Sequence, residues 1–322
     1  MFRLHSALLA AVAAVMIGQP ATAAEWPTGT VTIIVPYTPG NITDIAARIV
    51  AQKLQESTGK SFIVENKPGA STQIGTAEVA RAKPDGNTLL ITGAGYATNP
   101  ALFAELPYDT DKDLVPVGLV VSNPLILVTA ADKPFPDFAA LIDHAKSNPG
   151  QLTMASGGNG TLSHMAEALT AVATGTQIIH VPYKGGSAAA TDTLSGHVDS
   201  MWDNPSSAMP QIQAGRIRPL AVSGKVRSDA FPDVPTVSEL GYNDFEVINW
   251  FAAFAPGQTD PELLDIIHDK VQAALALPDV QARFAKDGVT AGGPSRAEFA
   301  AFVASETAKW GQIIRENGIH AD

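Results

Sequence analysis

The 322-residue chain has no cysteine, which excludes disulfide bonds, thiol nucleophiles and cysteine-ligated metals. Basic side chains are few: 21 Lys and Arg stand against 32 Asp and Glu, a formal charge of −11. That balance argues against nucleic acid as a partner, because polyphosphate binding rests on clustered cations. No apolar run after the N-terminus is long enough to span a bilayer. Catalytic signatures are missing too. Gly59-Lys60-Ser61 ends like a phosphate-binding loop, but Leu54 stands where its first glycine belongs. The glycines near Gly93 and Gly157 do not complete G-x-G-x-x-G, and Gly185-Gly186-Ser187-Ala188-Ala189 fails as a nucleophile elbow at its last position. His144, His164, His180, His197, His268 and His320 are scattered without an H-x-x-x-H pair, so neither a metal nor another cofactor is expected. Asp199 and Asp203 are spaced to share a face of a predicted strand, as cap or pocket-wall residues in preference to a catalytic pair.

What is present begins with a leader. Arg3 gives a basic start, residues 7–18 are apolar, and Ala21-Thr22-Ala23 is a small-residue cleavage pattern. Residues 1–24 therefore read as a signal peptide cut after Ala23 or Ala24, predicting an exported, periplasmic protein of about two domains. Removal of Arg3 leaves 20 basic against 32 acidic side chains. The absence of disulfides is compatible with export in a chain large enough to bury a substantial core.

The chain is organised around residues 31–59. Residues 31–35 are a β-branched run suited to a buried parallel strand, and Pro36 and Pro39 end it. Gly40-Asn41 can turn tightly, Asn41 or Thr43 can cap the next helix, and Asp44 suits its positive end. Ile45, Ile49, Val50 and Leu54 recur at helical spacing until Gly59. Strands are then predicted at residues 61–65, 88–92, 115–121 and 125–129, with helices at 74–83 and 99–104. The alternation restarts with helices at 138–146, 162–173 and 188–194 and strands at 152–155, 178–181, 198–202 and 217–222. A long apolar strand at 246–255 returns toward the first half, and helices follow at 262–275, 280–286 and 296–316. Two β-α-β series joined by two extended crossings predict two α/β lobes with a hinge.

Three glycine-rich loops precede helices: residues 40–43, 156–161 and 183–187. At strand ends such loops offer backbone N–H groups to an anion whatever the net charge of the surface. Tyr37, Tyr96, Tyr183, Trp202 and Trp250 fall near the inferred cleft, with the tyrosines at loop tips.

With these blocks in order, the whole mature chain resembles the periplasmic solute-binding proteins of the tripartite tricarboxylate transporter family, also called Bug receptors. The resemblance is carried by Val35-Pro36-Tyr37-Thr38-Pro39-Gly40 with Asp44, Asn66-Lys67-Pro68-Gly69-Ala70, and Lys83-Pro84-Asp85-Gly86. It continues through Ser156-Gly157-Gly158-Asn159-Gly160, His180-Val181-Pro182-Tyr183-Lys184-Gly185, Phe231-Pro232-Asp233-Val234-Pro235 and Asn249-Trp250. It implies an α/β, two-lobed periplasmic-binding-protein fold of the type II, Venus-flytrap kind, each lobe a β-sheet flanked by helices. Residues 25–124 and 248–322 would form the first lobe and 125–247 the second. Ligand contacts implied in the first lobe are Tyr37, Asn41, Ile42, Thr43, Asp44, Tyr96, Ala97 and Thr98. Those in the second are Ser156, Asn159, Thr161, Tyr183 and Asp203.

The family usually reads Gly-Gly followed by a small residue after the proline, whereas this chain has Gly40-Asn41-Ile42. Ile42 in place of a small polar residue suggests a ligand with an apolar body, such as an aromatic dicarboxylate of the terephthalate type. The implied partners are that small carboxylate and the membrane permease subunits of a tripartite tricarboxylate transporter, with the receptor a monomer and not an enzyme. A ligand-sensing subunit of a signalling system is the alternative role, and an enzyme on the same fold is a third.

Overall fold

The computed structural model describes residues 26–320, so the predicted signal peptide and its cleavage site lie outside the described residues. Strand β1 (Val31–Val35) is buried at four of five positions, as a β-branched run in a sheet interior should be. Helix α1 (Ile42–Thr58) buries Ala46, Ala47, Val50 and Leu54 on one face, and Gly59 ends it at a positive φ of 69°. There follow β2 (Phe62–Asn66), α2 (Gln73–Ala80), β3 (Thr88–Gly93) and α3 (Gly95–Leu102). The chain leaves this half through β4 (Leu114–Pro124) and enters the second as β5 (Ile126–Ala130). The second half continues with α4 (Phe138–Ser147), β6 (Leu152–Ser156), α5 (Leu162–Thr174), β7 (Ile178–Pro182) and α6 (Gly186–Leu194). It closes with β8 (Ser200–Asp203), α7 (Pro205–Gln213) and β9 (Ile217–Val222). Strand β10 (Ile248–Pro256) returns, followed by α8 (Pro261–Leu275), α9 (Pro278–Ala285), β11 (Thr290–Ala291) and α10 (Arg296–Glu316).

Two sheets result, of order β11-β4-β10-β3-β1-β2 and β7-β6-β8-β5-β9. In each, the β-α-β strands pair in parallel while the crossing strand runs antiparallel: β10 against β3 and β4, β5 against β8 and β9. This is a two-lobed α/β architecture of the Venus-flytrap kind. Helix α3 begins at Gly95, four residues before the predicted start. Pro100 suits the first turn of a helix but lies inside this one, which is what displaces the sequence-based boundary. Helix α7 and β11 have no counterpart in the sequence reading. The former opens Asn204-Pro205-Ser206-Ser207, a loop-like composition whose proline in fact serves as the first helical residue.

Trp250 takes its place in the core of the first lobe. Both its indole N–H (3.4 Å) and that of Trp310 (2.8 Å) donate to Glu306 Oε2, and Phe254, Phe299 and Phe302 surround it edge-on or tilted. Lys309 pairs with the same buried carboxylate, so α10 is fixed to β10 by a satisfied charge as well as by apolar packing.

The lobes are joined where β4 meets β5 and where β10 begins, and Ser223 sits between the two crossings. Its N–H donates to Leu125 O (2.9 Å) and its hydroxyl accepts the Leu125 N–H (2.7 Å). The same hydroxyl donates to Val247 O (2.5 Å), and Ser223 O accepts the Val247 N–H (2.9 Å). One buried serine thereby satisfies the backbone of both connecting segments. Ser223→Ala leaves the Leu125 N–H and Val247 O without that hydroxyl and should cost about 1–3 kcal/mol. Urea unfolding checks this, and a loss below about 0.5 kcal/mol would show that the crossings do not depend on it.

Candidate functional site

The first N–H groups of any helix have no carbonyl partner within it. Four helices here receive a side-chain cap: Asn41 accepts from the Asp44 N–H at α1, Asp137 from Ala140 at α4, Asp260 from Glu262 at α8, and Ser295 from Glu298 at α10. The other six have no side-chain cap bond. Five of those six open onto one cavity, whose lining includes their cap residues Thr72, Ala94, Thr161, Gly185 and Asn204. None of the four side-chain caps lines it.

This cavity, of about 420 Å³, lies between the lobes. Each helix start carries roughly half a positive charge, so the field inside favours an anion. Among the described residues no Lys, Arg or His lines it, and Asp203 is the one charged side chain that does. Leu102, Phe103, Leu125, Leu162 and Phe251 supply apolar wall. The lobes approach each other at its rim: a Cβ on Gly160, whose φ is +73°, would lie 2.6 Å from Leu102 Cδ1. The positive φ favours glycine there, and a side chain would also push Leu102 aside.

The structure gathers some of the sequence-derived residues at this cavity and places others elsewhere. Tyr37, Thr98, Asn159, Thr161 and Asp203 line it. Tyr37 accepts the Gly93 N–H on its hydroxyl (3.3 Å) and meets Phe251 edge-on. On α3, positions 95, 98, 99 and 102 share one face and reach the cavity, whereas Tyr96 and Ala97 point away. Tyr96 donates its hydroxyl to Thr110 O (2.7 Å) and stacks on Phe254. Asn41 and Asp44 order the first loop. Asp44 accepts from the Gly40 N–H (2.9 Å), Arg48 Nε (3.1 Å) and Asn66 Nδ2 (2.9 Å). Burial alone would raise its carboxyl, but these three donors hold it below the usual carboxylate range. Thr43 is buried with an unpartnered hydroxyl, and Ile42 packs against the core of the first lobe. Neither lines the cavity, so the apolar wall comes from Phe103, Phe251 and their neighbours instead. Tyr183 donates to Asp192 (2.7 Å), also away from the cavity. Asp199 precedes β8 and accepts from Thr153 and Lys133, so it does not share the cleft face with Asp203. Cavity residues that the sequence reading did not single out include Thr72, Asn99, Ser163 and Asn204. Thr72 and Asn204 are cap residues of preferred capping types, so what marks them is the absent cap bond in the structure and not a pattern in the sequence.

Behind the loop at residues 157–161 the fold assembles histidines that the sequence scatters. His164 and His180 stack at 3.6 Å, nearly parallel. His180 Nε2 lies 2.6 Å from the fully buried Ser156 hydroxyl, and the Gly160 N–H donates to His164 Nδ1 (3.2 Å). Glu167 is buried beside them, its Oε2 3.9 Å from His180 Nε2 and without a hydrogen-bond partner. Burial pushes the Glu167 carboxyl up to about 9, and burial together with the His180 ring pushes His164 down to about 4. His164 and Glu167 are therefore both neutral at neutral pH. Among the described residues no cluster of His, Asp and Glu is arranged to hold a metal ion.

A two-lobed fold with a ligand-sized, mostly apolar cavity between its lobes and convergent polar groups around it defines a solute-binding receptor. The chain belongs to the tripartite tricarboxylate transporter receptor family: that family's model, described as Tripartite tricarboxylate transporter family receptor, matches residues 46–319. Protein BugT of Bordetella pertussis is 35% identical over 320 residues, covering 99% of this chain and 98% of BugT. The solved structure of R. palustris Rpa4515 with adipate is 32% identical with a TM-score of 0.79, covering 92% of this chain and 99% of that one. MatC from Rhodopseudomonas palustris with bound malate is 29% identical with a TM-score of 0.75, covering 90% and 100%.

The neutral Glu167 has a measurable consequence. Between its ordinary value of 4.5 and about 9, the folded chain keeps a proton that the unfolded chain releases, so stability falls as pH rises through that window. Glu167→Gln has no proton to release. Its melting temperature relative to the parent should rise steadily from about pH 5 to about pH 8. A difference that stays constant with pH would show that Glu167 is ionised in the fold.

Proposed function

We propose that this chain is an exported, periplasmic receptor that captures a small dicarboxylic acid between its lobes. It hands that acid to the membrane permease subunits of a tripartite tricarboxylate transporter, acting as a monomer by binding and not by catalysis. The observation that carries the reading is the set of five helix starts, two in the first lobe and three in the second, that lack side-chain caps and surround a cavity without a cation. A carboxylate bound there would take the place of the missing caps. Hydrogen bonds to an ionised acceptor contribute about 1.5–3 kcal/mol each, so a few suffice without an arginine clamp. The adipate and malate held by the two related structures are acids of this class. The Phe103, Phe251 and Leu162 walls can accommodate an aliphatic or aromatic body, terephthalate among them. Because both lobes contribute, ligand favours the closed arrangement through its differential affinity, with the crossings at Leu125 and Val247 as the hinge.

A thermal-shift screen against dicarboxylic acids tests the reading, since an acid at a hundred times its Kd adds about 2.7 kcal/mol to the folded state. No stabilisation by any acid would contradict it. For the best-binding acid, Thr161→Asp supplies the α5 cap with the protein's own carboxylate and should weaken binding about 100-fold while keeping the fold. Lys184→Met, at an exposed position outside the cavity, should change it less than about threefold. Calorimetry reads both. The reverse ranking would show that a cation, and not the helix starts, recognises the charge.

A further inference from the structure

Asp203 is out of keeping with a cavity built for anions. The residue is 5% exposed, and it lines not only the central cavity but also a second recess of about 210 Å³ between α6 and α7. Met201, on the same face of β8, is the other residue shared by the two spaces. The Asn204 N–H donates to Asp203 Oδ1 at 2.8 Å, and the Ser207 hydroxyl stands beside the carboxylate. Deeper in the recess, Gln211 Oε1 is buried without a hydrogen-bond partner. Among the described residues no Lys, Arg or His lines the recess. A buried acceptor that stays unpaired forfeits its hydration without return, so Gln211 Oε1 calls for a donor, and the Asp203 carboxylate has lone-pair capacity beyond its two present donors to share it. A second bare carboxylate placed against them would meet like charge.

We propose that the recess beside Asp203 is a distal subsite for a hydrogen-bond donor on the ligand, a hydroxyl, ammonium or amide group, accepted by Asp203 and Gln211. The ligand is then a hydroxy or amino acid derivative of its carboxylate class, not the unsubstituted acid. This rests on the carboxylate reading above and extends it to a substituent on the body of the acid. Burial raises the Asp203 carboxyl, so an ammonium or hydroxyl that pairs with the ionised form also relieves its desolvation.

Matched acids that differ by one donor test the assignment: succinate with malate and aspartate, adipate with 2-aminoadipate, and terephthalate with 2-aminoterephthalate. Calorimetry on the unaltered protein should show the donor-bearing member of the best-bound pair favoured by about tenfold or more. Asp203→Asn should reduce that preference to under about threefold. Gln211→Leu, which removes an unpaired acceptor at a site that tolerates apolar packing, should reduce it by about threefold and leave the donor-free acid unchanged. Equal or tighter binding of the donor-free acid by the unaltered protein overturns the subsite while leaving the receptor reading intact. So does an equal loss of both members in the two variants. Binding of no acid in the panel overturns the receptor reading, and the subsite with it.

Discussion

The uncapped helix start is the constraint on which the rest depends. A helix in water can leave its first N–H groups to solvent, but in a cleft that a ligand fills they need an acceptor. This chain supplies side-chain caps to α1, α4, α8 and α10, away from the cleft, and none to α2, α3, α5, α6 and α7, whose starts surround it. On the proposed function, the protein holds part of its hydrogen-bonding capacity in reserve for a ligand. An acidic surface is no obstacle, because the recognising field is local and set by the backbone. The cost is a site that cannot complete its own polar contacts.

That reserve is useful only if the two lobes present it together. The antiparallel β4 and β10 carry the crossings into the first sheet, and Ser223 satisfies the backbone of both at the point of exchange. Asn204, the α7 cap, accepts on its side-chain oxygen from Asn249 (2.9 Å) and Asn123 (3.3 Å), so the floor of the cavity is tied directly to the connecting strands. A change in lobe angle would therefore act directly on the start of α7. The neutral Glu167 behind the second-lobe loop fits the same logic, since an ionised carboxylate there would repel the ligand's own.

Much of this was legible in the residues. Strand β1, α1 and the β-α-β alternation follow from β-branched runs and 3.6-residue spacing, which need no tertiary information. The three glycine loops located two of the walls. What the residues could not show is which face of α3 meets the cleft. Thr98 and Tyr96 are two positions apart, yet a helix sends them in different directions, and only the start at Gly95 decides which is which. Ile42 looked like a ligand contact by its place in the loop, but helical geometry turns it to the core. The spacing of Asp199 and Asp203 predicts a shared strand face, but β8 begins after Asp199, and of the two only Asp203 lines the cavity. The stacking of His164 on His180 joins residues from α5 and β7, a long-range contact that no local pattern encodes.

The central claim is that backbone N–H groups at the unclosed helix starts of both lobes bind the acid. Amide proton shifts in a titration with the best-binding acid test it most directly. The expected result is large shifts at Gly95 of the first lobe and at Leu162 and Gly186 of the second, with the side-chain-capped starts at Asp44 and Glu262 unmoved. Shifts confined to one lobe, or centred on Lys184, would contradict it.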